Sequence, residues 1–290
     1  MSDPVIRQLD VRDIDAAFAL STAAGWNQRR EDWQMLLQVA PAGSVAAESA
    51  GRIVGTAIGI DYGGFGWIAM MLVDEAYRGR GVGGRLLEAA IEAIPRHVSI
   101  RLDATPLGRP LYERYGFREE TRLTRYVIDG ARQLPTGSSS RVRQLTDGDL
   151  AVVLDNDPEI FGGDRRAVLE WMAKCAPDYT RVARRDSATT SYCFGRQGRV
   201  FDQIGPVVTD GDDVARDLVD AALANAGTRA VAIDAFDSHR AFGSWLSARG
   251  FQPQRPLFRM RLLRQGATAP TAAAHQSSLI ERAILGPEFA

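Results

Sequence analysis

One stretch of the sequence has the charge and glycine content of a site for a phosphorylated ligand. The loop from Arg78 to Gly84 holds two arginines and four glycines, and an apolar run from Trp67 to Val73 precedes it. After the loop, apolar residues recur at helical spacing as far as Ile94, and Pro95 ends the pattern. The first N–H groups of a helix lack internal partners and carry positive potential. A strand, a glycine-rich loop and a helix in this order therefore predict a pyrophosphate site.

Two widespread phosphate motifs do not fit this loop. A P-loop would end in Gly-Lys-Ser/Thr, and a dinucleotide fingerprint needs a different spacing from that of Gly79, Gly81 and Gly83. The run Arg78-x-x-Gly81-x-Gly83 instead resembles the Arg/Gln-x-x-Gly-x-Gly/Ala motif of the Gcn5-related N-acetyltransferases, the GNAT superfamily. In that family the loop holds the pyrophosphate of acetyl-CoA. A surface turn rich in arginine and glycine is the alternative, which the flanking strand and helix disfavour.

The resemblance implies that acetyl-CoA is the cofactor and indicates the residues that hold it. Backbone groups of Leu72 and Val73, at the end of the apolar run, would contact the pantetheine arm and the thioester. The pyrophosphate would lie against the loop residues Arg78, Gly79, Arg80, Gly81, Val82, Gly83 and Gly84.

A second signature follows at Leu111 to Phe117, which resembles the Asn-x-x-Ala-x-x-Leu-Tyr-x-x-x-Gly-Phe pattern of the same family. The resemblance implies that Tyr112 protonates the departing CoA thiolate, a role that a phenol can fill. Packing in the core is the alternative for this aromatic ring. The family's Asn falls on Thr105, which keeps a hydrogen-bonding group for the cofactor, and its Ala falls on Gly108.

The acceptor side is indicated by resemblance alone, because the first helices and the end of the third strand border the acceptor cleft in this family. The candidate acceptor-binding residues are Trp26, Asn27, Asp32, Asp61 and Tyr62. Core packing is the alternative for Trp26. An amine acceptor must lose a proton, and a carboxylate or a histidine usually assists. No base stands out, although His239 lies in the loop that matches Thr105 in the second half.

Composition narrows the class of protein. The chain has 290 residues, 45% of them hydrophobic and 24% charged, which suits two globular domains. A formal net charge of −1 argues against a nucleic-acid partner. Cys175 and Cys193 make neither a disulfide framework nor a metal set, so no metal is expected. Because no signal peptide or membrane-spanning run is visible, we expect a cytoplasmic protein with no membrane partner.

The pattern over residues 5–128 predicts elements in the order β-α-α-β-β-β-α-β-α-β. That order is the one found in the GNAT superfamily. The resemblance therefore implies an α/β (α+β) fold in which a mixed, mostly antiparallel sheet is flanked by helices.

The second half of the sequence repeats the first. Residues 6–14 line up with residues 142–150, 136 positions later, and Gly116-Phe117 lines up with Gly250-Phe251. Such a repeat predicts two tandem domains of one fold. We place the first domain at residues 1–130, a linker at 131–140, the second domain at 141–265 and a tail at 266–290. In the tail, Ser278 and Glu281 read as the capping box of a short helix.

The second copy lacks the features that carry the chemistry. Asp210, Asp212 and Asp213 occupy the loop, and Leu246 falls on the position of Tyr112. Because carboxylates repel a pyrophosphate, we expect a degenerate GNAT-like domain that does not bind acetyl-CoA and that contributes structural cover and one wall of the acceptor pocket.

These expectations combine into an acetyl-CoA-dependent N-acetyltransferase that transfers the acetyl group directly to an amine of a small molecule. Two alternatives stay open at this point. One is a non-catalytic acyl-CoA sensor that regulates a partner, and the other is an acetyltransferase acting on a protein lysine or N-terminus. The oligomeric state is also open.

Overall fold

A computed structural model describes residues 3–130, 139–184, 190–264 and 278–290. The predicted order of elements over residues 5–128 is confirmed. The first half forms β1 (Val5–Gln8), α1 (Ile14–Ala23), α2 (Arg30–Val39), β2 (Ser44–Ser49), β3 (Arg52–Asp61), β4 (Gly66–Val73), α3 (Val82–Glu92), β5 (Ile100–Ala104), α4 (Arg109–Arg114) and β6 (Arg118–Ile128).

The second half follows a similar order and ends in an additional strand. It forms β7 (Val142–Gln144), α5 (Asp147–Phe161), α6 (Arg166–Cys175), β8 (Arg181–Arg184), β9 (Thr190–Arg196), β10 (Asp202–Thr209), α7 (Asp212–Leu223), β11 (Val231–Phe236), α8 (Arg240–Ala248), β12 (Gln252–Leu262) and β13 (Ile280–Ile284).

The described residues divide into two compact units that are not continuous in sequence. Of the described residues, the first unit contains 3–118, 260–264 and Phe289, and the second contains 119–130, 139–184, 190–259, 278–288 and Ala290. The domain limits expected from the repeat describe where each copy lies along the chain and stay a prediction. Most of the expected linker, residues 131–138, lies outside the described residues.

The sheet of the first unit runs in the order β1-β2-β3-β4-β5. Its first four strands are antiparallel, and β5 is parallel to β4. Strand β4 is buried along most of its length, as expected for an unbroken apolar run. Helix α3 packs its apolar face inward through Val82, Leu86, Leu87 and Ala90, so the amphipathic pattern after the loop also correctly predicted a helix. These two elements position the glycine-rich loop.

The sheet of the second unit contains β6-β11-β13-β10-β9-β8-β7, in that order. Strands β10 and β11 are parallel to each other where they touch, like β4 and β5. The difference is β13, which runs antiparallel to both β10 and β11 and lies between them.

The expected helix after Ser278 is wrong, because residues Ile280–Ile284 form a strand. Both edges of this strand are paired, and the hydrogen bonds gained there outweigh a local capping signal. Glu281, the supposed capping residue, instead accepts a hydrogen bond from Arg165 at 2.8 Å. The two terminal isoleucines, Ile280 and Ile284, also have the β-branched side chains that strands favour.

The repeat has a structural counterpart in two matching ion pairs. Arg7 donates to both carboxylate oxygens of Asp13 at 2.7 and 2.8 Å, and Arg143 does the same to Asp149 at 2.5 and 2.8 Å. Each aspartate also accepts from the backbone N–H of the residue that caps the following turn, Asp10 or Thr146, at 3.0 Å. The two copies thus begin their first helices with the same charge arrangement, 136 residues apart.

Replacing Asp149 by Asn tests this arrangement in the second copy. We expect the free energy of unfolding to fall by about 0.5–2 kcal/mol, the range for a lost helix cap. A hydrogen bond from the Arg143 side chain holds the pKa of Asp149 well below its usual range. The stabilisation is therefore present above the ordinary Asp pKa of about 3.9 and is lost as the pH falls through the lower folded value.

Denaturant titrations near neutral pH and at about pH 3 measure this difference, which should shrink at the lower pH. Asp155→Asn, an exposed position on the same helix, is the control and should change stability by no more than about 0.5 kcal/mol. Equal losses in the two variants would contradict a special role for Asp149.

Candidate active site

The site begins where β4 and β5 stop pairing. They pair in parallel only at Gly66 with Ile100 and at Trp67 with Arg101. In the described part of the chain, β4 has no other strand neighbour on that side. Within the described residues, the edge of β4 that faces away from β3 therefore has no strand partner beyond Trp67, although the Val73 carbonyl accepts from Arg78. Leu72 is buried and Val73 half-buried at the end of this edge, where the sequence placed the pantetheine contacts.

A bulge in β4 shapes this edge. The pairing of β4 with β3 shifts register between Thr56 and Ile58, and Met70, opposite the shift, has a φ of 52°. Positive φ is uncommon outside glycine and is maintained only when the surroundings hold it. Thr56 supplies that hold, because its fully buried hydroxyl donates to the Met70 carbonyl at 2.8 Å. The sequence interpretation missed both residues, since a uniform apolar run contains no local signal for a bulge.

The loop after β4 is built on two glycines in the left-handed region. Gly79 has a φ of 75° and Gly81 a φ of 78°, conformations that residues with a Cβ rarely adopt. Gly81 is the N-cap of α3 and offers no side chain to the first N–H groups of the helix. The first turn of α3 carries no acidic residue. The start of the helix is thus an exposed set of donors at the positive end of the dipole.

The two arginines of the loop have different positions. Arg78 donates from Nε to the Val73 carbonyl at 3.1 Å and pairs with Glu75 at 3.1 Å, so it ties the loop to the end of β4. Arg80 is exposed, and its guanidinium lies 5.7 Å from the centre of the Tyr77 ring. Of the two, Arg80 has the side chain more available to a bound anion.

Helix α4 lies against the first turn of α3. A Cβ added at Gly83 would be 3.5 Å from Cδ2 of Leu111 and 3.7 Å from Cγ2 of Val73. A Cβ added at Gly84 would be only 2.5 Å from the Tyr115 hydroxyl, so this glycine is needed for close packing. The structure therefore brings together the end of β4, the loop and the helix that carries Tyr112.

Tyr112 is buried, and its ring packs edge-on against Phe117 with the centroids 5.9 Å apart. Within the described residues, no hydrogen bond to its hydroxyl is found. Burial raises the pKa of Tyr112 well above its ordinary value. The phenol therefore stays protonated across the working pH range and has a donor available to a bound ligand.

Thr105 shapes the turn into α4. Its hydroxyl accepts from the Gly108 N–H at 3.2 Å, and its carbonyl accepts from the N–H groups of Gly108 and Arg109 at 3.1 and 3.0 Å. The side chain remains half-buried beside the helix that carries Tyr112. Its role toward a cofactor stays a prediction.

The expected acceptor residues lie after α1, in the first turn of α2, and at the end of β3. Trp26 is half-buried and Asn27 buried. Asp32 is buried and accepts from the Arg29 N–H at 2.6 Å, which caps α2. Asp61 is exposed and accepts from the Gly63 N–H at 2.8 Å, so both carboxylates have local structural roles.

Tyr62 is buried, and its hydroxyl donates to the Phe289 carbonyl at 2.7 Å. Residue 289 belongs to the first unit although it lies 227 positions further along the chain. The sequence offered no signal for this contact. The acceptor assignment of all five residues stays a prediction.

The second copy presents the opposite charge at the corresponding helix. Asp212 and Asp213 lie in the first turn of α7. Arg141 pairs with Asp213 at 2.8 Å and with Asp217 at 2.5 Å, and its side-chain hydrogen bond to Asp213 lowers the pKa of that carboxyl. Leu246 is buried where Tyr112 stands in the first copy. The same backbone bond marks both positions, from Phe117 N to Tyr112 O and from Phe251 N to Leu246 O.

Among the described residues, none of the helices is both long and apolar enough to cross a membrane. The same residues contain no group of three or more His, Cys, Asp or Glu side chains that could hold a metal ion.

Comparison with known proteins identifies the family. Residues 41–119 match a family model described as an acetyltransferase (GNAT) domain, and residues 153–275 match a second model with the same description. Together the two matches cover more than half of the chain. The chain belongs to the GNAT acetyltransferase superfamily and carries two GNAT domains in tandem, as the sequence resemblance implied.

One curated relative and two solved structures are similar to this chain over most of its length. The uncharacterized N-acetyltransferase YitH of Bacillus subtilis (strain 168) is 25% identical over 75% of this chain and 76% of its own. A crystal structure of an acetyltransferase candidate from Pyrococcus horikoshii superposes with a TM-score of 0.79 and 24% identity, covering 100% of this chain and 97% of that one. A tandem GNAT protein from the clavulanic acid biosynthesis pathway has a TM-score of 0.63 and 15% identity, covering 90% and 98%. The two structural likenesses establish the fold.

A charge introduced at Gly83 tests the anion site. Gly83→Asp should weaken acetyl-CoA binding by more than about tenfold, or 1.4 kcal/mol, because a carboxylate would stand beside the expected pyrophosphate. The fold should tolerate it, since the new Cβ meets Leu111 and Val73 only at ordinary contact distances and an Asp in the first turn suits the helix dipole.

Gly83→Asn is the control, because it has the same size without the charge and should bind acetyl-CoA more tightly than the Asp variant. Calorimetric titration measures both affinities. Wild-type affinity in the Asp variant would place the pyrophosphate elsewhere.

Proposed function

We propose that this protein transfers the acetyl group of acetyl-CoA directly to an amine of a small molecule, and that the first domain performs the reaction. One observation carries the proposal. The first copy combines an unpaired strand edge, a glycine-built helix start and a buried phenol, all next to one another. The second copy keeps the fold but has aspartates at the loop and leucine at the phenol position.

The residues present fit acetyl-CoA. Gly79 and Gly81 leave the approach to α3 free of Cβ atoms, and no acidic side chain opposes a pyrophosphate in the first turn of that helix. Arg80, exposed at the rim, adds positive charge. We propose that the edge of β4 at Leu72 and Val73 contacts the amide groups of a pantetheine arm, beside the Arg78 guanidinium that donates to the Val73 carbonyl. The bulge held by Thr56 at Met70 turns the strand backbone two residues before Leu72.

Acetyl-CoA would supply an acetyl group activated as a thioester. Its carbonyl carbon forms a bond to the acceptor nitrogen while the bond to sulfur breaks, and the sulfur leaves as a thiolate that must gain a proton. We propose that Tyr112, a buried phenol packed against Phe117, donates to that sulfur. The acceptor nitrogen loses a proton on forming the amide, and this proton reaches the thiolate through water or a base.

The pKa of Tyr112 decides how it helps. A free thiol has a pKa of about 8.5 and an ordinary phenol about 10. Because burial raises the pKa of Tyr112 further, complete transfer of its proton to the thiolate is uphill. We infer that Tyr112 acts first as a hydrogen-bond donor that stabilises the developing negative charge, and that the proton finally comes from the acceptor amine.

The proposed acceptor is an amine of a small molecule. Asp61, exposed at the end of β3, gives the expected acceptor side a carboxylate that would attract a protonated amine. Two structural neighbours are named for small-molecule chemistry, namely the clavulanic acid pathway protein and a GCN5-related glucosamine N-acetyltransferase region of a fungal multi-domain GH3 β-N-acetylglucosaminidase. Those activities belong to the neighbours, and here they indicate which acceptors to try first.

Tyr112→Phe removes the donor and keeps the ring. We expect kcat to fall by roughly 10- to 1,000-fold, as for the loss of an acid-base group, with little change in acetyl-CoA affinity. Since the raised pKa keeps Tyr112 protonated at working pH, the basic side of the pH–rate profile should keep its inflection in the variant. Tyr126→Phe, another phenol outside the site, is the control. Wild-type turnover in the Tyr112→Phe variant would make Tyr112 a packing residue.

A screen of acceptors tests the function itself. Purified protein with acetyl-CoA is mixed with amino sugars, amino acids, polyamines and amine-bearing antibiotics, and free thiol is measured. We expect CoA release above background only with an acceptor, and acetylation confirmed by mass spectrometry. Acetyl-CoA binding with no turnover on any amine would favour a sensor, and turnover only on lysine peptides would exclude the small-molecule assignment.

A further inference from the structure

The two copies open their central strands at equivalent positions. In the first, β4 and β5 pair only at Gly66–Ile100 and Trp67–Arg101. In the second, β10 and β11 pair only at Asp202–Val231 and Gln203–Ala232. These residues are the ones that the repeat aligns, 136 positions apart for β4 and β10 and 131 for β5 and β11. Each domain therefore has a cleft between parallel strands that starts at the same place.

In the second domain this cleft is filled by β13. On one side, Val207 pairs with Ala283, Val208 with Glu281 and Thr209 with Ile280. On the other, Asp234 pairs with Ile284 and Ala235 with Ala283. Val208 and Thr209 are the counterparts of Leu72 and Val73, 136 residues further on. The backbone positions expected to hold the pantetheine arm in the first copy thus hold a peptide strand in the second.

The wall of this cleft is adapted to its occupant. A Cβ on Gly205 would overlap the carbonyl group of Ile284, so only glycine allows β13 this close. The aligned position in the first copy is Ala69, which carries the methyl group that Gly205 lacks. Ala283 and Ile284 are completely buried, so the strand is part of the core of the unit.

The charges match the strand as well. Arg282 pairs with Asp212 at 3.3 Å, at the start of α7, where the first copy has its glycine-built anion site. The same guanidinium lies 2.7 Å from Nδ1 of His239. On the neighbouring residue, Glu281 accepts from Arg165 at 2.8 Å. In the second copy, a negatively charged residue at the start of α7 therefore faces a positively charged residue of β13. In the first copy the charges would be reversed, because a positively charged loop would face a negatively charged pyrophosphate.

We propose that the second GNAT domain is a peptide-binding domain whose cleft holds residues 280–284 of its own chain, in an extended conformation and with Arg282 as the charged anchor. The comparison of β13 with a pantetheine arm bound in the first domain rests on the proposed function. The pairing of β13 with β10 and β11 is independent of it. The domain binds an extended peptide by strand addition on two edges. Its specificity comes from the ion pair between Arg282 and Asp212 and from the close approach of the Ile284 carbonyl to Gly205. One acetyl-CoA per chain follows, bound in the first domain.

The first experiment uses the full chain and a charge exchange. Hydrogen exchange of the backbone amides of residues 281–284, followed by mass spectrometry, should be slow in the wild type. Arg282→Asp should speed it by roughly tenfold or more, and Asp212→Arg combined with Arg282→Asp should restore much of the protection. Asp210→Arg with Arg282→Asp is the control and should restore nothing. Rapid exchange in the wild type, or no rescue by the exchange of charges, overturns the anchor.

The second experiment asks whether the cleft accepts the peptide from outside. Residues 280–284 of the full chain are replaced by Gly-Ser-Gly-Ser-Gly, and a fluorescent synthetic peptide of residues 278–288 is added. We expect saturable binding to the variant, at least about tenfold weaker binding of the same peptide carrying the Arg282→Asp substitution, and none to the wild type, whose cleft is filled. A folded variant that binds no peptide overturns the proposal, and if the variant does not fold, the exchange experiment decides.

Acetyl-CoA titration separates this inference from the proposed function. Wild type and charge-exchanged protein should each bind one equivalent, and two equivalents in the wild type would overturn the filled cleft. A protein that binds no acetyl-CoA but shows the expected exchange pattern would refute the proposed function alone.

Discussion

In each domain two parallel strands pair briefly and then diverge, and the hydrogen bonds that their backbones lose set the main constraint on this protein. Buried N–H and C=O groups must find partners, and each group left without one costs about as much as a lost hydrogen bond. Beyond Trp67 in the first copy, β4 no longer pairs with β5, and beyond Gln203 in the second copy, β10 no longer pairs with β11. The two domains answer the same need differently. The second supplies β13, and in the first we propose that the pantetheine arm of acetyl-CoA takes the same place.

Other differences between the copies follow from what each cleft receives. A ligand with a pyrophosphate needs a helix start free of side chains and acids, which Gly79, Gly81 and the first turn of α3 provide. A strand that carries an arginine needs a negative charge at the start of the helix, and Asp212 provides that charge. Close approach of a carbonyl demands a glycine at residue 205, whereas Ala69 suffices in the first copy. A single repeated fold can thus present opposite sites after changes at a few loop and strand positions.

The sequence predicted the parts whose signals are local. The strand, loop and helix from Trp67 to Ile94 follow from hydrophobic period and glycine content, and the repeat follows from matching residues whose ion pairs recur in the structure. It failed where distant residues decide. Residues 280–284 carry a helix-start signal, yet they pair with two strands, β10 and β11, that lie far away in sequence.

The finer geometry of the site was also beyond the sequence. Nothing near Met70 signals a positive φ, because the bulge depends on a hydroxyl from the neighbouring strand, that of Thr56. Asp32 looked like an acceptor contact, and only the structure shows its carboxylate capping α2. Such features arise from hydrogen bonds between residues that no periodic pattern connects.

The groups around the diverging strands of the first domain are fixed by contacts within that domain. The bulge at Met70 is held by Thr56, and α4 packs on the first turn of α3 through Leu111 and Tyr115. A preorganised site loses less entropy on binding, so these contacts would favour the ligand that we propose for the first domain. In the second domain the corresponding strand edges are held by β13, which pairs with both of them.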